Sequence, residues 1–202
     1  VIDSAELDPR NPTYAMSSQV AVERALSLAK VRSEGLVPPL PDRFATTADQ
    51  GWTVETWIRL GSDTEGIIAQ YNTTAAGMPR VALEVGVEGA GVPYVRFETA
   101  GGMEYKAGGT GAALALSTGE WHHLAAVWTS ATGTATPRTS LQLVIDGMTV
   151  LAQVSLEPPA QNPGTLVLFA EFNDGFIDEF RFWRDVRTQA EILAFQDVIV
   201  QE

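Results

Sequence analysis

The stretch GEWHHLAAVW, Gly119–Trp128, decides the fold. It holds the chain's only two histidines, His122 and His123, between two tryptophans. Adjacent histidines invite a metal centre or an acid–base pair. In an extended strand, however, neighbouring side chains leave opposite faces of the sheet. His122 then projects with Leu124, Ala126 and Trp128, and His123 with Trp121, Ala125 and Val127. Histidines on opposite faces cannot ligate one metal, and with no cysteine in the chain no thiolate can complete a zinc set. Both faces are apolar. The stretch reads as a core strand whose imidazoles are buried or half-buried and hydrogen-bonded.

The same alternation recurs on either side. WTVETWIRL (Trp52–Leu60) places Trp52, Val54, Thr56, Ile58 and Leu60 on one face, and Thr53, Glu55, Trp57 and Arg59 on the other. Further strand patterns run over Gly66–Asn72, Val81–Val87, Val92–Thr99, Gly102–Ala107, Ser140–Asp146, Met148–Leu156, Thr165–Ala170 and Phe176–Trp183. Asp146–Gly147 sits between two of them as a tight hairpin turn. Thr129–Ser140 is a polar excursion, and Leu36–Phe44 is an extended proline-rich connection. Ser17–Lys30 is ambiguous: its start could be a short helix, and ALSL (Ala25–Leu28) reads equally as a strand. One helix is expected, over Thr188–Gln196, where Thr188 and Glu191 have capping-box spacing. About ten short antiparallel strands and one C-terminal helix predict an all-β fold, a two-sheet antiparallel jelly-roll sandwich.

Composition narrows the function. The formal net charge of −12 disfavours nucleic acid and anionic membrane surfaces, and leaves a neutral sugar or a cation open. No run of about 18 apolar residues exists to insert in a membrane. The chain opens at Val1 with no leader pattern, which reads as a processed product or a piece of a longer polypeptide.

Three candidate sites follow from the residues. Glu55, Trp57 and Arg59 share a strand face, as do Glu179, Arg181 and Trp183 on another strand. If the two strands are neighbours, Glu55 pairs with Arg181 and Glu179 with Arg59. Glu55, Trp57, Arg59 and Arg181 are then either a sugar platform or a structural charge ladder. For metal, the acidic loop Glu171–Glu179 offers Asn173, Asp174 and Asp178, with Asp63 and Glu65 in a second loop; calcium is the cofactor considered for such oxygens. For catalysis, a glycosidase needs two carboxylates flanking one bond. Glu84 and Glu88 share a face but lie about 13 Å apart at strand rise, which is too far. Asp178 and Glu179 face opposite ways. The glycine-rich Ala107–Ala113 lacks the lysine and helix of a phosphate loop. No catalytic residue is assigned.

Several of these stretches, in order, resemble the laminin-G-like jelly roll of the concanavalin A-like lectin/glucanase superfamily. They are ALSL, WTVETWIRL, GEWHHLAAVW, the Asp-Gly hairpin LVIDGMTV (Leu143–Val150) and FIDEFRFWRDVRTQAEI (Phe176–Ile192). The likeness spans about 25–196. Residues 1–24 then read as an N-terminal extension or linker, and 25–202 as the jelly-roll domain. Where the family's first strand runs into an acidic loop, this chain runs through AKVRSEGLVPPLPD (Ala29–Asp42). The resemblance implies a non-catalytic binding module of a larger extracellular or surface protein, with a glycan or a protein as partner. The alternatives it leaves are a structural or interaction domain of a toxin, adhesin or virion, and a divergent glycosidase.

Overall fold

A computed structural model describes residues 14–15, 25–27, 51–62, 64–109, 112–130, 139–155, 157–172 and 174–196. Most of Ser17–Lys30, the connection at Leu36–Phe44, the centre of the Thr129–Ser140 excursion, Asp63 and Asn173 lie outside them. Among the described residues, twelve strands form two antiparallel sheets. In chain order they are β1 (Tyr14–Ala15), β2 (Ala25–Ser27), β3 (Trp52–Leu60), β4 (Gly66–Ala75), β5 (Met78–Glu88), β6 (Val92–Glu98), β7 (Glu104–Gly108), β8 (Trp121–Ser130), β9 (Thr139–Ile145), β10 (Met148–Ser155), β11 (Thr165–Ala170) and β12 (Gly175–Trp183). One sheet has the order β1-β2-β12-β3-β8-β9-β10 and the other β11-β4-β5-β6-β7. This is the expected two-sheet jelly roll. The short β1 lies within the segment read as extension or linker and pairs with β2 at the sheet edge.

Alternation built the core. Trp52, Val54, Ile58 and Leu60 from β3 and Leu124, Ala126 and Trp128 from β8 point between the sheets, against Val85, Val87, Val95 and Phe97. Trp52 and Trp128 are cross-strand partners with rings stacked 6.3 Å apart. Burying each such side chain contributes on the order of 1.5–3 kcal/mol. The Asp146–Gly147 turn has φ of 49° and 75°, the left-handed pair that the type I′ hairpin requires. Ala76 and Gly77 do the same between β4 and β5, so those strands run further than their apolar patterns suggested.

The outer face of the seven-stranded sheet is covered. Ala125, Val127 and Val144 pack against Val186 and Ile192 of the C-terminal segment. That segment ends in α1 (Gln189–Phe195), capped by Thr188 and Glu191 as their spacing predicts. It is tied down by side chains: Thr53 Oγ1 donates to the Asp185 carbonyl and accepts from the Arg187 amide, and Trp57 Nε1 donates to the Gln196 carbonyl at 2.8 Å.

Candidate binding site

β12 does lie beside β3, and Arg181 stands opposite Glu55. The second expected pair does not form. A bulge shifts the register between Asp178 and Arg181, with Glu179 at φ 50°. The extra residue turns the Glu179 carboxylate to Arg181, 2.9 Å away, and leaves Arg59 opposite Phe176. Arg59 holds its guanidinium over that ring at 5.3 Å.

Of the four ligand candidates, three are sealed. Glu55 is 0% exposed, Arg181 3% and Trp57 5%. Trp57 packs edge-on against His123 with ring centres 5.3 Å apart. His123 Nε2 lies 3.6 Å from Glu55 Oε2, and neither Glu55 oxygen has a hydrogen-bond partner among the described residues. Burial pushes the Glu55 carboxyl upward against the pull of Arg181, Arg187 and the Trp183 indole. Burial, helped by Arg181, pushes His123 down to about 4, so the imidazole is neutral at pH 7. The platform face thus lies under the closing segment.

Arg59 is the exception. It is half-buried and lines a cleft of about 520 Å³ with Leu60, Gly61, Ser62, Thr118, Gly119, Asp174 and Phe176. Three chain segments far apart in sequence meet here. Asp174 fastens two of them: its Oδ2 accepts from the Ser62 amide (2.9 Å) and hydroxyl (3.0 Å), and its Oδ1 from the Gly175 amide (2.8 Å). The Ser62 amide and hydroxyl hold this carboxyl below its ordinary range. The loops approach so closely that a Cβ on Gly61 would fall 2.2 Å from Asp174 Oδ2. The third segment is held from behind. The Gly119 amide donates to the Leu60 carbonyl at 2.9 Å. His122 bridges Ser117 Oγ at 2.8 Å and Asp146 Oδ2 at 2.9 Å, and the Asp146 hydrogen bond draws its pKa upward. The histidines therefore part as the pleat requires, one at the rim and one under the roof.

Sequence reading named Arg59 and Asp174 but missed Ser62, Thr118 and Phe176. The signal lay in the loops Gly61–Gly66 and Glu171–Glu179, each read as acidic; only the β3–β12 pairing brings them together. Among the described residues no three His, Cys, Asp or Glu side chains cluster as a metal set. Asp178 is turned away from the cleft's clamp: its Oδ1 accepts from the Glu179 amide, and burial pushes its carboxyl up to about 7.

A second acidic cluster escaped the sequence altogether. On the five-stranded sheet Glu84, 3% exposed, stands opposite Arg96 in register. It accepts from Arg96 Nε (2.6 Å) and Nη2 (2.8 Å), from the Tyr94 hydroxyl (2.8 Å) and from Gln70 Nε2. Burial opposes its charge, but these bonds outweigh burial and hold the carboxyl below its ordinary range.

No curated protein matches the chain by sequence. Two solved toxin domains show the same fold at low identity. A crystal structure of the botulinum neurotoxin serotype G binding domain superposes with a TM-score of 0.55 at 8% identity, over 76% of this chain and 37% of that one. A botulinum neurotoxin type G receptor-binding domain gives 0.50 at 9%, over 85% and 45%. A heptameric SAP-like pentraxin from Limulus polyphemus gives 0.48 at 14%, over 73% and 69%. The chain thus spans less than half of either toxin-domain structure. None of the described helices is long and apolar enough to cross a membrane. The family model described as concanavalin A-like lectin/glucanases superfamily matches residues 38–193, and with the jelly roll in place the chain belongs to that superfamily.

Proposed function

We propose that the chain is a non-catalytic binding module of a larger extracellular or cell-surface protein, and that it takes a carbohydrate in the Arg59–Phe176 cleft. One observation carries this reading: the cleft is shallow and open, of ligand size, and mixes a ring, a guanidinium and hydroxyls. The Trp57 face beside it is roofed. Glycoside cleavage needs two carboxyl groups about 5–10 Å apart. Asp174 is the one carboxylate among the cleft's described lining residues, and three donors occupy it.

The test is an oligosaccharide array followed by calorimetry on wild type and Thr118→Trp, which fills the cleft from an exposed loop. Loss of binding at unchanged Tm supports the cleft; unchanged binding removes it. A protein partner is the second reading. Met148 (67% exposed) and Leu193 (53%) flank Gly147 at the β9–β10 turn and α1. Two side chains fall far short of the roughly 800 Å² per partner of a stable interface, so the cleft ranks first.

A further inference from the structure

The cleft also points to the charge of its ligand. Its charged lining groups are Arg59 and Asp174. Asp174 is spent on Ser62 and Gly175, as a fastener between loops. Arg59 is different: among the described residues no carboxylate lies within ion-pair distance of it, and its recorded partner is the Phe176 ring. The guanidinium carbon sits 5.3 Å from the centre of the Phe176 ring, and no carboxylate among the described residues engages its N–H fork. A planar fork held at a cleft wall matches the paired oxygens of a carboxylate or sulfate.

We propose that the cleft selects an anionic sugar, one bearing a carboxylate or a sulfate, and that Arg59 is its specificity-determining residue. This rests on the carbohydrate reading above. Ser62 and Thr118 supply hydroxyls for the neutral part of the ring, and Phe176 supplies the apolar wall. The protein's overall negative charge repels anions at long range, so binding depends on this one short-range contact.

The experiment titrates one trisaccharide core in three forms: neutral, with a terminal carboxylated sugar, and with a terminal sulfate. Proteins are wild type, Arg59→Lys and Arg59→Gln, each checked by Tm. The expected result is that wild type prefers one or both anionic forms over the neutral core by roughly ten- to a hundredfold. Arg59→Gln abolishes the preference, and Arg59→Lys keeps part of it. Comparison of the carboxylate and sulfate arms identifies which anion fits. Equal affinity for neutral and charged forms, or a preference that survives Arg59→Gln, overturns the anionic assignment and leaves the carbohydrate reading standing. Binding of none of the three overturns both.

Discussion

Trp57 and Arg59 leave the same face of β3 two residues apart, and the closing segment treats them differently. Trp57 is held by the Gln196 carbonyl and covered. Arg59 lies at the cleft, where the loops before β4, β8 and β12 meet. Alternation assigns both to the outer face; it says nothing about what lies on that face. A residue's chemistry is set by its cover. The two buried glutamates repeat the contrast. Glu55 stands opposite Arg181 and Glu84 opposite Arg96, both as cross-strand partners. Glu84 has four hydrogen bonds to its oxygens and stays ionised; Glu55 has none among the described residues, and burial dominates.

The largest break in this comparison is Trp57→Ala. It removes the anchor of the closing segment and opens a cavity beside Trp121 and His123, at a cost of about 3–5 kcal/mol. Chemical denaturation reads the loss; a change within about 0.5 kcal/mol would show the face to be a surface. Glu84→Gln comes next, at about 1.5–3 kcal/mol at pH 7, because the charge-assisted bonds from Arg96, Tyr94 and Gln70 to its buried carboxylate weaken, although Arg96 keeps Glu104 at 2.8 Å. Glu55→Gln costs less, within about 1 kcal/mol, since Arg181 retains the Glu179 carboxylate. If the two variants lose equal stability in the same denaturation series, the contrast between the glutamates fails.

The pH dependence has opposite signs at these sites. Glu84 is held low when folded, so its contribution is present above its unfolded value of 4.5 and lost as pH falls through the folded value. Glu55 is held high, so its contribution is present below 4.5 and lost as pH rises through the folded value. His123 adds to the acid limb. Between 6.5 and about 4 the unfolded chain takes up a proton that the folded chain refuses, and stability falls with pH. Melting curves from pH 7 to 4 should steepen through this window in wild type and flatten in His123→Gln. An unchanged profile would mean that His123 is not shielded.

The smallest expected effects concern the cleft's own stability. Arg59→Ala removes one cation–π contact, worth about 0.5–1 kcal/mol, while it removes the anion preference. Calcium and a chelator should leave Tm alike; a site filled to about a hundred times its Kd would add about 2.7 kcal/mol and be visible.

Much of the fold was legible. The period-2 patterns gave the ten strands after Trp52, the Asp-Gly pair gave its hairpin, and Thr188 with Glu191 gave the helix start. These are local signals, spanning a few residues each. What was not legible was non-local. The bulge at Asp178–Arg181 redirects Glu179 from Arg59, and no pattern within β12 announces it. The Glu84–Arg96 pair depends on β5–β6 register, and the 13 Å between Glu84 and Glu88 measured along one strand could not reveal a partner across the sheet. The cleft unites residues near 60, 118 and 175; the first read as a strand end and the last as an acidic loop, and nothing local marked Thr118.

The central claim is that ligand enters at Arg59 and not over Trp57. The most direct measurement is a ¹⁵N-resolved NMR titration of the protein with the carboxylated and sulfated trisaccharides. The amides of Gly61, Ser62, Thr118 and Gly119 should shift with ligand, while the Trp57 indole N–H, bonded to Gln196, stays still. Shifts at the Trp57 indole with the four cleft amides unmoved would contradict the account.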